Sequence, residues 1–187
     1  MPRGFSKIAF TAPVRDLQER DGSRKAYARF ESGPETIDRI GPAEAAFIAA
    51  RDSFYMATVS ENGWPYIQHR GGPAGFLRVL SETEIGFADY SGNRQFISTG
   101  NLAGDDRVSL FLMDYPHRTR LKILGHARVV NESDTATMAK LAIDGYKARV
   151  QRGIIITMEG FDWNCPQHIT PRFTAAEAMA LTGERAG

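Results

Sequence analysis

From residue 53 onward the apolar residues come in short runs, often at every second position, with polar punctuation between them. That spacing predicts strands more than helices. Residues 54–60 and 64–70 read as two strands, and the Glu61-Asn62-Gly63 turn joining them is a strong hairpin signal. A Gly-rich stretch leads into residues 76–80, and a strand at 84–88 then delivers Asp89-Tyr90-Ser91-Gly92-Asn93-Arg94-Gln95. Residues 94–103 read as a short helix with Phe96 and Ile97 inward, broken near Gly100 and Gly104. A strand at 108–113 and a turn at Pro116 follow. Leu121, Ile123, Gly125, Ala127 and Val129 then alternate with Arg120, Lys122, His126 and Arg128, which predicts a half-buried strand with one cationic face.

Two further helices and a last strand complete the pattern. Gly41-Pro42 opens a helix in which Ala43, Ala46, Phe47 and Ala50 recur at helical spacing. Residues 133–143 form another, with Ser133 as N-cap and Met138, Leu141 and Ala142 on one face. The β-branched run Ile154-Ile155-Ile156-Thr157 marks the strand at 154–161. Residues 14–30 suggest a short helix and a polar arm ending near Gly33-Pro34, lying on the barrel or on a partner subunit. Six or so strands with tight turns and few intervening helices predict a mainly β fold with flanking helices, an antiparallel barrel rather than a doubly wound sheet.

Composition narrows the picture further. A chain of 187 residues supports one well-buried core, with 42% hydrophobic and 24% charged residues at globular averages. The expected division is an N-terminal helix and arm at 1–40, a barrel domain at 41–173 and a helical tail at 174–187. A net charge of +1 gives no reason to expect a nucleic-acid or membrane partner. The lone Cys165 excludes an internal disulfide, and with no signal peptide or membrane helix in the pattern the protein is expected to be cytoplasmic. Neither a Rossmann nor a P-loop glycine motif is present.

Four constellations could carry chemistry. Gln68-His69-Arg70-Gly71-Gly72 alternates polar groups with glycines, so backbone amides can approach a ligand while Arg70 supplies charge; a solvated strand end is the plainer reading. Asn93-Arg94-Gln95, expected beside it as part of a neighbouring strand in a meander, places a guanidinium at a helix start. A cation there is unfavourable unless an anion lies between them, the alternative being a salt bridge to Asp89 or Asp105. Arg118, Arg120 and Lys122 make a positive edge that is either ordinary solvent-facing alternation or the completion of a ligand site in a twofold partner. Trp163-Asn164-Cys165-Pro166-Gln167-His168 is either a capped loop anchored by Trp163 or a border for a flat aromatic ligand. Cys165 and His168 lack the further ligands zinc needs, and nothing positions a third group for nucleophilic catalysis, so no metal and no catalytic residue is assigned.

The runs Met56-Ala57-Thr58-Val59-Ser60-Glu61-Asn62-Gly63-Trp64-Pro65-Tyr66, Phe87-Ala88-Asp89-Tyr90-Ser91-Gly92-Asn93-Arg94-Gln95 and Arg107-Val108-Ser109-Leu110 resemble, in order, the pyridoxamine 5'-phosphate oxidase family. Gln68-His69-Arg70-Gly71-Gly72-Pro73 and Phe161-Asp162-Trp163-Asn164-Cys165-Pro166-Gln167-His168 are similar to a branch of predicted flavin-nucleotide-binding proteins related to that oxidase. The resemblance implies a Greek-key-like split β-barrel and a homodimer with FMN at the subunit interface. It assigns flavin contacts to Gln68, His69, Arg70 and Gly71, then to Ala88, Asp89, Asn93, Arg94 and Gln95. Arg70 and Arg94 hold the phosphate in that picture, Arg120 with Lys122 reaches the flavin from the other subunit, and Trp163, Asn164, Gln167 and His168 border the ring. His168 or Arg120 near the pyrimidine side would favour reduced flavin. Gln95 and Pro73 replace family bases, and the oxidase's C-terminal Trp, Arg and His substrate elements have no counterpart, which speaks against pyridoxamine phosphate oxidation. The expected function is an FMN-dependent oxidoreductase passing electrons to or from a small molecule. The alternatives are a flavin carrier or sensor without turnover, or a split barrel holding haem or a deazaflavin.

Overall fold

A computed structural model of the chain describes residues 3–32, 37–163 and 166–183. Gly33-Pro34, Asn164 and Cys165 lie outside the described residues. Its strands are β1 (Ser53–Val59), β2 (Pro65–Gly71), β3 (Arg78–Val79), β4 (Glu84–Tyr90), β5 (Arg107–Asp114), β6 (Thr119–Val130) and β7 (Val150–Trp163). All pair antiparallel in one seven-stranded sheet of order β2-β1-β5-β6-β7-β4-β3. The helices are α1 (Arg3–Ala9), α2 (Ala12–Asp21), α3 (Arg24–Ala28), α4 (Pro42–Ala49), α5 (Ile97–Gly104), α6 (Thr135–Leu141) and α7 (Ala175–Thr182).

Alternation along the strands builds the interior. Phe54 and Met56 of β1, Leu110 and Leu112 of β5, Leu121 and Ile123 of β6, Ile156 and Met158 of β7 and Ile85 and Phe87 of β4 all point into one core. Phe54, Phe76 and Phe87 form its aromatic centre, with ring centroids 5.3 to 6.4 Å apart. Gly72 is required by this packing, because a Cβ there would lie 2.7 Å from Cγ of Phe76. The core alone therefore already requires a glycine at this place in the motif. From α4 it is Ile48, fully buried, that enters the core, flanked by Ala45 and Phe47. The expected inward residues Ala43, Ala46 and Ala50 are exposed, because the buried stripe follows the larger side chains.

Other elements depart from expectation at their edges. Helix α5 starts at Ile97, and Ser98 and Leu102 face inward while Phe96 and Ile97 are exposed. Asp134, not Ser133, caps α6 by accepting a hydrogen bond from the Thr137 amide at 3.0 Å. Leu141 carries that helix's contact, with Ala142 exposed. On β6 the inward series ends at Ala127 and resumes at Val130, so Val129 faces out.

The N-terminal arm lies on the barrel through a main-chain crossing. Asp38 is buried and accepts hydrogen bonds from the amides of Gly4 and Phe5, both at 2.9 Å, and of Phe161 at 3.2 Å. Strand β7 and α1 touch where both chains have glycine: a Cβ on Gly160 would sit 2.4 Å from the Phe5 nitrogen, and one on Gly4 2.4 Å from the Glu159 carbonyl. Phe5 and Phe10 are buried there, and Phe10, Tyr27 and Phe30 stack α1 against α3.

Candidate functional site

The two motifs expected side by side in a meander are not neighbours in the sheet. β2 is one edge strand, and β4 lies next to the opposite edge. They meet because the sheet curls until its ends face each other. Among the described residues no backbone pairing joins β2 to β4; Nη1 of Arg70 donates to Oδ1 of Asp89 at 2.6 Å across the seam. Both side chains are largely buried, at 13% and 11% exposure.

A cleft of about 240 Å³ opens at this seam. Tyr66, Gln68 and Arg70 of β2 form one wall, and Asp89 and Tyr90 of β4 with Gln151 and Arg152 of β7 form another. The floor is the segment from Gly92 to Thr99, including Asn93, Arg94 and Gln95 and the first turn of α5. That first turn carries no acidic residue and no side-chain cap. Its free amides therefore add to the positive potential.

Local bonds shape this floor. The side-chain oxygen of Asn93 accepts from the Gln95 amide at 3.2 Å, and Arg94 and Phe96 both adopt left-handed backbone conformations, with φ of 61° and 56°. Arg94 therefore stands on a contorted turn ahead of α5, not at the helix start. It pairs with neither suggested carboxylate, since Asp89 binds Arg70 and lies 3.3 Å from Nε of Arg152, and Asp105 binds Arg107. Oγ of Ser98 donates to Oε1 of Gln68 at 2.8 Å, tying α5 to β2. The Nε atoms of Arg70 and Arg152 are buried and complete no hydrogen bond, that of Arg152 lying 3.3 Å from Oδ2 of Asp89. An adjoining hollow of about 180 Å³ shares Gln68, Arg70, Asp89 and Tyr90 with this cleft and is completed by His69, Gly71, Phe76, Phe87 and Ala88.

The structure thus brings together Gln68, His69, Arg70, Gly71, Ala88, Asp89, Asn93, Arg94 and Gln95. The remaining expected residues lie elsewhere on the same chain. Arg152 and Trp163 are on one strand, eleven residues apart, a span of roughly 35 Å at strand rise. Trp163 packs edge-on against Phe47 at 4.9 Å and donates its indole N–H to Glu44 at 2.9 Å. Gln167 and His168 beyond it are exposed, with His168 at φ 63°; Asn164 lies outside the described residues. Lys122 is 2.7 Å from Asp162 and lies over the Phe5 ring, and Arg120 lies over the ring of Phe111.

Of these, Arg120 and Lys122 lie on the outer face of β2-β1-β5-β6, whereas Trp163 turns from the end of β7 toward the core. The registers align His69, Tyr55, Phe111 and Lys122 in one row and Ile67, Ala57, Ser109 and Leu124 in the next. Ile67 is 64% exposed and Trp64 72%. A mostly apolar hollow of about 340 Å³ continues the face, lined by Ile8, Ala57, Val59, Pro65, Leu124 and His126 among others.

His126 at its rim lies between Asp106 at 2.7 Å and Glu159 at 3.3 Å. The hydrogen bond to Asp106, together with the two negative charges, raises its pKa above the ordinary 6.5 despite some desolvation. Its contribution to stability is then fully present below about pH 6.5 and fades as the pH rises through the higher folded value. The native protein is expected to lose up to about 1 kcal/mol more than a His126→Gln variant between pH 6 and pH 9, a small figure because solvent screens a half-exposed pair. Urea midpoints at the two pH values check it.

Arg152, Ser98, Thr99, Tyr66 and Phe96 were not expected at the site. Arg152 precedes the β-branched run that marks β7, and a charge just outside such a run was the available signal. The others depend on how α5 packs, which no local pattern discloses.

A curled antiparallel sheet left open along one seam, with its two edge regions bridged by side chains, defines a split β-barrel. The family model for pyridoxamine 5'-phosphate oxidase matches residues 40–160, well over half of the chain, and the chain belongs to that family. Among solved structures it is similar to HupZ of Group A Streptococcus, at 17% identity and a TM-score of 0.54 over 72% of this chain and 99% of that one. A protein of Lactobacillus delbrueckii provisionally named pyridoxamine 5'-phosphate oxidase is 18% identical, with a TM-score of 0.51 over 67% and 94% of the two chains. A conserved hypothetical protein of Mycobacterium tuberculosis is 17% identical, with a TM-score of 0.50 over 76% and 97%. Likeness at this identity concerns the fold. No curated protein matches the sequence. No helix among the described residues is long and apolar enough to cross a membrane.

Proposed function

We propose that this protein binds FMN between two copies of its chain and acts as an oxidoreductase toward a small molecule. The observation that carries this reading is the seam cleft, whose lining holds three guanidinium groups, Arg70, Arg94 and Arg152, and a single carboxylate, Asp89. Guanidinium groups and free helix amides fit a phosphate. The cleft's size fits the phosphate and its polar chain but not a whole flavin, since about 240 Å³ falls below the roughly 300 Å³ at which pockets for molecules of that size begin. A second chain would supply the missing wall. The exposed apolar rows on β2-β1-β5-β6 are the surface suited to such pairing, and they adjoin Arg120. Twofold pairing through that face is how residues separated within one chain could share a ligand.

When bound, the flavin would supply electron transfer; the chain's own part is to hold and orient it. Arg94, together with Arg70, would fix the phosphate, and Gln68, held by Ser98, would stay oriented toward the cleft. The test begins with identifying the chromophore extracted from purified protein, where haem or a deazaflavin would overturn the assignment. Arg94→Ala is expected to weaken FMN binding by about 1.5 to 3 kcal/mol, the scale of a hydrogen bond to a charged group, with the thermal midpoint retained. Equal affinity in variant and parent, measured by fluorescence titration, would overturn the phosphate assignment.

One observation favours a carrier without turnover: among the described residues the cleft lining holds no His, Cys, Lys or Glu, and its one carboxylate, Asp89, is engaged by Arg70 and Arg152, which leaves only Tyr66 and Tyr90 to give up a proton. Stopped-flow mixing with nicotinamide nucleotides separates the two readings, because rapid bleaching of the flavin supports the enzyme and an inert flavin supports the carrier.

A further inference from the structure

We propose that Arg152 is a third phosphate-binding guanidinium, oriented by Asp89, and that the resulting charge balance makes the cleft selective for a phosphate monoester. The proposal rests on the reading of the cleft as the site of a flavin nucleotide's phosphate, and it extends that site to a strand that no motif in the sequence marks.

Arg152 stands directly opposite Asp89 in the pairing of β7 with β4. Asp89, only 8% exposed, therefore meets two guanidinium groups from two strands: Nη1 of Arg70 at 2.6 Å on Oδ1 and Nε of Arg152 at 3.3 Å from Oδ2. The arrangement orients both cations, and each guanidinium, with five N–H donors, keeps further hydrogens on its Nη atoms for a ligand. Arg152 is further held by Thr99 at 3.4 Å and Gln151 at 3.2 Å, and its guanidinium lies 5.1 Å from the centroid of the Phe96 ring. Phe96 reaches that position from a left-handed backbone conformation. Such a conformation costs free energy in a non-glycine residue. Here it sets an aromatic face against a cation that borders the cleft.

The balance of charge gives the selectivity. Three guanidinium groups against one carboxylate leave an excess of two positive charges in the lining. A phosphate monoester carries nearly two negative charges at neutral pH. A diester or a carboxylate carries one and would leave one positive charge of the lining unmatched. Asp89 is a positioning residue in this scheme, acting through the two arginines.

The experiment measures FMN and riboflavin affinities by flavin fluorescence for the full chain and for Arg152→Gln, Arg152→Lys and Arg94→Ala. Arg152→Gln is expected to weaken FMN about tenfold to a hundredfold, the range for a lost charged hydrogen bond, and to leave riboflavin unchanged. Arg152→Lys keeps the charge without the fork and should recover part of the loss. If Arg152→Gln weakens both flavins equally, or neither, the proposal is overturned. Should that variant fail to fold, Arg152→Lys decides, since it must lose affinity for FMN and not for riboflavin. The Arg94→Ala arm separates the two claims. A lowered FMN preference there with none at Arg152 sinks the role of Arg152 alone, whereas a parent protein that does not prefer FMN to riboflavin sinks the phosphate reading beneath it.

Discussion

Replacing Asp38 with alanine is expected to cost about 3 to 5 kcal/mol of unfolding free energy, because three buried amide donors would lose their acceptor at about 1 to 3 kcal/mol each, offset in part by water entering the vacated space. The donors are the amides of Gly4, Phe5 and Phe161, and the carboxylate that receives them is 6% exposed. Among the described residues, Asp38 is where α1, the segment before α4 and the end of β7 are tied at one point. Loss of that tie should also release α1, exposing Phe5 and Phe10. Urea denaturation measures the first effect and limited proteolysis of the N-terminal arm the second. Asp38→Asn, which keeps one carbonyl oxygen, should fall between alanine and the parent. An unchanged midpoint together with an unchanged cleavage pattern would show that the arm is held by its apolar contacts instead.

The second large effect is expected at Ile67. In Ile67→Glu the fold should persist, since the side chain is 64% exposed on β2 and surface substitutions generally shift stability by less than about 0.5 kcal/mol. Pairing of two chains through the β2-β1-β5-β6 face should fail, because the acid would be desolvated against the apolar row of Ala57 and Leu124. Sedimentation velocity is expected to show a dimer for the parent and a monomer for the variant. The purified variant should contain almost no flavin. A monomeric parent, or a dimeric variant that keeps its flavin, would remove this face from the binding site.

Much of the barrel could be read from local patterning. Strands β1, β2, β4 and β5 were signalled by short apolar runs between turns and β6 by alternation, and the Asn62-Gly63 turn set the first hairpin, with Gly63 at φ 84°. The motifs that form the near half of the cleft were legible too, since glycines and cations interrupt otherwise apolar strands at Gln68 to Gly71 and at Asp89 to Gln95. Their spatial relation was not, because adjacency in sequence suggested adjacency in the sheet, whereas curling of seven strands brings the two together. The inner face of α4 was misjudged for a simpler reason: small residues recur at helical spacing there, yet Ile48 and Phe47 remove more apolar surface from water. Helix α1 gave little signal, being short and dependent on Asp38, a residue more than thirty positions away. Arg152 needed the register of β7 against β4, a long-range fact.

At the crossing of α1 over β7, the two backbones approach so closely that neither Gly4 nor Gly160 has space for a methyl group. Attachment of the arm is therefore a matter of main-chain shape. A side chain introduced at either glycine would have to push the arm away from β7 before the two segments could meet.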